Sequence, residues 1–212
     1  NFKTGEPEFS SRAKPSGRIN AGYEGNGDIY RGEGLIEAKT KNAKIAATGS
    51  YSKGHNFKDG NDSIIPAGFG RGSVGLQADI KVKQGNLATL SITRSFARNT
   101  DFPTLMMDLL KDDSWMMQGQ YKIYGSGKWF SQWHSQIYAS LVDHLMGNEL
   151  RPAMGKMANA ETSADTKVFG GRTELSFTSA KNEWFIGLDA KLEEEDGLRT
   201  REMLMGPMKG KI

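Results

Sequence analysis

Apolar and polar residues alternate with period two along most of this chain of 212 residues. Around 184–192, Trp184, Ile186, Leu188, Ala190 and Leu192 fall on one side and Phe185, Gly187, Asp189 and Lys191 on the other. Around 113–124, Trp115, Met117, Gly119, Tyr121 and Ile123 oppose Ser114, Met116, Gln118, Gln120 and Lys122. Around 43–51, Ala43, Ile45, Ala47, Gly49 and Tyr51 share a side, and around 129–146 Trp129, Trp133, Ile137, Ala139 and Leu141 do so opposite Gln132, His134, Gln136, Tyr138, His144 and Met146. That period belongs to β-strands with two unlike faces. It predicts nine strands, near 17–24, 29–40, 43–54, 70–83, 87–98, 113–124, 129–146, 166–179 and 184–194. The best helical window is FPTLMMDLLKDD at 102–113, where Leu105/Leu109 and Met106/Leu110 recur at helical spacing and predict a short helical turn within a loop.

The connections alternate in length. KN at 41–42, QGN at 84–86, GSGK at 125–128 and AKNE at 180–183 are tight turns, whereas 55–69, 99–112 and 147–165 are long polar loops. GNGD at 25–28 is short where a long loop is due. Long loops at one end, short turns at the other and two-faced strands predict an all-β fold: an antiparallel, up-and-down transmembrane β-barrel. Trp129, Trp133 and Trp184 fall at the short-turn end and Trp115 at the long-loop end, as aromatic girdles require. Nine strands do not close an even-numbered barrel, and the chain opens at NFKTGEPEF and stops at MGPMKGKI, so an incomplete barrel is expected. A soluble, lipocalin-like or sandwich fold is the alternative, and it requires Trp129, Trp133 and Trp184 to be buried inside.

Composition narrows the classes. Only 37% of residues are hydrophobic and 26 are glycine, and no run of eighteen apolar residues offers a membrane helix. With 28 basic and 25 acidic residues spread along the chain, no block of like charge points to nucleic acid. The absence of cysteine excludes thiol catalysis, zinc fingers and disulfides. GRGSVG at 70–75 fits a dinucleotide-binding spacing, but an alternating strand follows it instead of a helix, so it is a chance match. No catalytic constellation is present, and the chain is not expected to be an enzyme.

Three segments, NTDFPTLMMDLLKDDSWM at 99–116, YASLVDHLMGNELRP at 138–152 and MANAETSADTKVFGGRTEL at 157–175, resemble the TonB-dependent outer-membrane receptors, most of all the copper-receptor branch. The resemblance implies that 1–15 is the end of a plug domain and its linker, and that 16–212 is the N-terminal part of a barrel of about twenty-two strands. It also implies a Gram-negative outer-membrane location, outer-membrane lipid around the barrel, and uptake driven by the TonB complex through a plug region ahead of this sequence.

His144 and Met146, two residues apart, share the face expected to line the lumen. Imidazole nitrogen with thioether sulfur is a soft donor pair that suits copper. In the copper-receptor branch such a His-x-Met pair joins plug ligands, and these two positions match it; the other reading makes VDHLM a structural signature shared by receptors for other cargo. None of the ten methionines precedes residue 106. Met117 points to the lipid side, and the other nine, including Met106, Met116, Met154 and Met157, are expected in or beside the outward loops as a relay for a soft cation. No bound cofactor is expected; copper enters as cargo, with a ferric siderophore or a cobalamin-like chelate as the other cargo class. His134 is expected at the lumenal short-turn end and His55 in a solvated loop. Asp101, Asp108, Asp112 and Asp113 are expected to be solvated or paired with Arg98 and Lys111.

Overall fold

A computed structural model describes residues 7–125, 130–152, 156–179 and 182–210. Trp129, Met154 and most of the turns at 125–128 and 180–183 lie outside the described residues. The strands are β1 (Lys14–Glu24), β2 (Ile29–Lys39), β3 (Ala43–Gly54), β4 (Phe57–Lys58), β5 (Ile64–Ile65), β6 (Phe69–Lys81), β7 (Leu87–Thr100), β8 (Asp108–Tyr124), β9 (Gln132–Gly147), β10 (Ala158–Ser179) and β11 (Asn182–Met203). All but the two-residue β4 and β5 form one antiparallel sheet in the order β1-β2-β3-β6-β7-β8-β9-β10-β11. The sheet does not close: β1 and β11 are its edges. The fold is therefore an incomplete, up-and-down antiparallel barrel, as the alternation predicted, and GRGSVG lies inside β6.

Register turns the alternation into two surfaces. One row across the sheet reads Ala38, Ile45, Ala78, Leu90, Gly119, Ile137, Gly171, Ala190, and the next reads Ile36, Ala47, Leu76, Ile92, Met117, Ala139, Phe169, Leu192. Between these rows, on the opposite face, runs Glu37, Ala46, Gln77, Ser91, Gln118, Tyr138, Gly170, Lys191. The apolar face has no protein layer over it among the described residues: Ile36 is 71%, Ile137 70% and Leu188 77% exposed. Trp133 and Trp184 lie on this face at the short-turn end, 43% and 62% exposed, which removes the sandwich alternative. Along β11 the belt runs from Trp184 to Leu192, roughly 27 Å at ~3.4 Å per residue and about 20 Å after barrel tilt. No helix among the described residues is long and apolar enough to cross a membrane, a statement about helices alone.

Three expectations are corrected. The window at 102–113 holds no helix; Leu105 closes a turn on Phe102 (3.1 Å), and β8 already begins at Asp108. A β-bulge at Leu110 adds one residue between Leu109, opposite Met146, and Lys111, opposite Leu145. That extra residue breaks the two-residue period and leaves Leu109 and Leu110 both buried. β10 starts at 158 instead of 166 and β11 runs on to 203, so the third loop contracts to 148–157. Met116 stands mid-strand rather than beside a loop.

Gly72 sits on the apolar face under the rings of Tyr51 and Phe96, whose centroids are 6.4 Å apart. A Cβ there would lie 2.7 Å from both Phe96 Cζ and the Ser50 carbonyl oxygen. The ring can swing but the strand carbonyl cannot, so Gly72→Val is expected to cost about 1–3 kcal/mol, read as a lower denaturation midpoint in vesicles.

Candidate functional site

The polar face is wired by short-range ion pairs and hydrogen bonds. Its row toward the long loops reads Gly22, Arg31, Ser52, Arg71, Ala97, Asp112, His144, Ala164, Gly197. His144 thus stands directly opposite Asp112, and its Nδ1 lies 2.8 Å from Asp112 Oδ2. Ser114 donates to the other carboxylate oxygen (3.2 Å). A carboxylate on Nδ1 fixes the ring and its tautomer and leaves Nε2 as the nitrogen open to a further partner. That nitrogen makes no hydrogen bond among the described residues. Met146 is half-buried one step nearer the loops, about 7 Å away along the strand, on the same face. Imidazole and thioether are two donors, short of a complete coordination sphere. Among the described residues no group of three His, Cys, Asp or Glu side chains is placed to hold a metal.

The methionines divide by height. Met116 faces the polar side two rows below His144 and is half exposed. Met106 is the most exposed, in the loop before β8. Met157 abuts the top of β11: its carbonyl accepts from Leu204 (2.9 Å), while Met203 accepts from Gly210 (2.9 Å) and folds the segment bearing Met205 and Met208 back on the strand end. Thioethers therefore occur at the rim and again at mid-height, with His144 and Met146 between.

The four aspartates do not form a cluster. Asp101 ties two loops together, accepting from the Gly68 amide (3.1 Å). Asp112 holds His144. Asp113 takes Arg94 (3.0 Å) and Arg98, the one foreseen pairing that forms, while Lys111 goes to Asp143 instead. Asp108, 3% exposed, receives both Nε (2.8 Å) and Nη2 (2.6 Å) of Arg151. The same guanidinium donates to Phe102 O (2.8 Å), and Asp108 also accepts from Phe102 N (2.9 Å). Beside it, Asn148 brackets Ala160 and Ala158 through its side-chain amide. The Asp108 carboxylate raises the pKa of Arg151, so this loop cation stays charged at any physiological pH. Arg151 and Asn148 carried no sequence signal, because their partners are chosen by loops up to 49 residues away.

A groove of about 590 Å³ borders the His144 row on the same polar wall, lined among others by Arg31, Ser50, Ser52, Arg71, Ser73 and Asp112. Ser50 and Ser73 share a 2.8 Å hydrogen bond across strands, and Ser52 Oγ is buried without a partner among the described residues. His134 lies at the opposite end, 3.1 Å from Gln120 Oε1, and His55 is exposed in its loop, both as expected. Residues 7–10 also lie on the polar wall at that end: Glu8 meets Lys39 (3.5 Å), and the Phe9 ring lies under Lys81 Nζ (4.2 Å).

No protein-family model and no curated protein matches the chain in sequence. Among 27 solved chains that match in structure is one named copper transporter OprC, with a TM-score of 0.85, at 15% identity, over 93% of this chain. The match covers 31% of the OprC chain. At that identity the likeness fixes the fold and nothing finer: this chain is built as a segment of a larger antiparallel β-barrel.

Proposed function

We propose that the chain is part of the barrel wall of a TonB-dependent outer-membrane receptor that takes up a scarce metal, with copper as the cargo. Residues 1–15 are the link from the plug, which agrees with Glu8 and Phe9 resting on the polar wall, and 16–212 are barrel. The apolar belt faces outer-membrane lipid, the TonB complex acts through the plug, and the protein transports rather than catalyses. One observation carries the cargo assignment: Asp112 holds His144 by Nδ1 on the polar wall, with Met146 on the same face and no hydrogen bond to Nε2 among the described residues. Those two donors take the ion together with ligands from the plug. The thioethers of Met106 and Met157 at the rim supply weak, exchangeable sites above it, and Met116 supplies one below; Met154 belongs to the same proposed relay. The copper transporter that shares the fold agrees with this reading.

A second cargo class has its own observation. Arg31 and Arg71, flanking the serine-lined groove beside the His144 row, suit an anionic organic chelate such as a ferric siderophore.

The test is metal retention by the full-length protein carrying this chain, measured by elemental mass spectrometry after loading with Cu(I) or Cu(II). His144→Ala with Met146→Ala is expected to abolish stoichiometric copper, and Asp112→Asn to weaken it about tenfold through the misoriented ring. Unchanged copper in the double variant, with growth restored by a ferric chelate instead, assigns the cargo to the second class.

A further inference from the structure

The apolar belt ends abruptly at the long-loop side of β7–β10. Its last row reads Arg94, Trp115, Leu141, Lys167, and the next row outward, after Phe96 on β7, reads Asp113, Asp143, Asp165. These residues line a groove of about 310 Å³. Trp115 and Leu141 form its apolar end, and the Arg94 guanidinium lies 5.5 Å from the Trp115 ring. Two of the three carboxylates are already engaged: Asp113 by Arg94 and Arg98, Asp143 by Lys111. Lys167 is exposed and makes no ion pair among the described residues, and the Arg94 side chain, bonded to Asp113 through Nη2, is still 40% exposed. Both cations therefore have capacity for an added anion. They stand in the row where the apolar belt meets water, closer to the belt than those three carboxylates, with Glu194 opposite Lys167 in the same row.

A second groove, about 770 Å³ and almost wholly apolar, lies next to the first. It is lined among others by Met117, Ala139 and Phe169, the next residues down the same three strands, and it runs on to Gly119 and Ile137. Glycine at 119, beside Ile137 in the register, helps to make the hollow. A polar recess with two partly exposed cations over a long apolar hollow has the form of one amphiphile, head above tail.

We propose that this strip binds a single lipid with a phosphate-bearing head group. The phosphate sits on Lys167 and Arg94, the first methylenes lie against Trp115 and Leu141, and an acyl chain fills the hollow at Gly119. The assignment rests on reading the apolar face as the lipid-facing one. Phosphate fits because the exposed part of the Arg94 guanidinium adds a charge-assisted donor beside its Asp113 bond, and the Lys167 ammonium attracts it as a point charge. Asp165, with no ion pair among the described residues, faces the same recess and accepts from a hydroxyl or amine of the head group.

The test uses the full-length protein carrying this chain, purified in maltoside detergent and offered diphosphoryl lipid A, the same lipid stripped of phosphate, or inorganic phosphate. Native mass spectrometry is expected to show one diphosphoryl lipid retained in preference to the stripped lipid, and no retained inorganic phosphate. Lys167→Ala and Arg94→Gln are each expected to weaken retention about fivefold. In the Arg94 variant Asp113 still has Arg98, so the wall keeps its fold. Equal retention of both lipids, or retention indifferent to both substitutions, overturns the proposal. Quenching of tryptophan fluorescence by brominated lipid chains is read alongside. Quenching without lipid selectivity sinks the head-group site alone, whereas no quenching sinks the lipid-facing assignment beneath it.

Discussion

Arg151→Ala is expected to release the loops at 101–107 and 148–157 together. The guanidinium is the only cation on Asp108 among the described residues, and that carboxylate is 3% exposed. Removing the partner of a buried charge costs about 3–5 kcal/mol, mostly as the penalty of leaving the carboxylate unpaired in a poorly hydrated place. The loss is local, because the strands below are held by their own ladders. It should therefore be read by hydrogen exchange, as lost protection at Phe102, Ala158 and Ala160, and by faster proteolytic nicking of both loops. Arg151→Lys keeps charge but cannot serve Asp108 and Phe102 O at once, so it should recover only part of the protection. Full protection in Arg151→Ala would mean that the Asn148 bracket alone holds the rim.

The second large effect belongs to the belt. Ile137 projects between Gly119 and Gly171 in the middle of the apolar face. Ile137→Arg is expected to cost about 2–4 kcal/mol when the full-length protein unfolds from a bilayer, since a charge at that depth must be dragged to an interface. Its neighbour Gln136 points to the polar wall among Gln120 and Arg172. Gln136→Arg should change stability by well under 1 kcal/mol, because lumen substitutions meet water. The contrast between adjacent residues is the discriminating measurement: a water-facing sheet would tolerate arginine at 137 as readily as at 136.

The sequence carried the strands well because a strand between lipid and lumen must change partner at every residue. The belt residues of β3, β8, β9 and β11 are those that alternation selects. Beyond the belt that constraint lapses. From 158 to 165 and from 195 to 203 no alternation is required, so the pattern marks neither the start of β10 nor the end of β11. At Leu110 the failure had a different cause: the bulge leaves two adjacent leucines, Leu109 and Leu110, both buried, and with Leu105 and Met106 four residues before them the run looks helical. For the site, local spacing put His144 and Met146 on one face, since that needs only the pleat. It could not supply Asp112, which reaches His144 through a register 32 residues long in sequence, nor the Asp108–Arg151 clasp at 43.

The four-residue turn after β1 has a practical meaning for anyone building on this wall. Asn26 presents its side-chain amide to Lys58 as a strand would, donating to its carbonyl (2.8 Å) and accepting from its N–H (2.8 Å), while Gly27 O accepts from His55 N (2.7 Å). The short turn thus clamps the root of the long loop that follows β3, and leaves its tip at Gly60 with open space around it. A foreign peptide spliced after Gly60 would ride outward on a fixed stalk, whereas the same insert between Gly25 and Asp28 would unfasten the stalk itself. For carrying an epitope or affinity tag, the long loop is the better graft site because its short neighbour holds it upright.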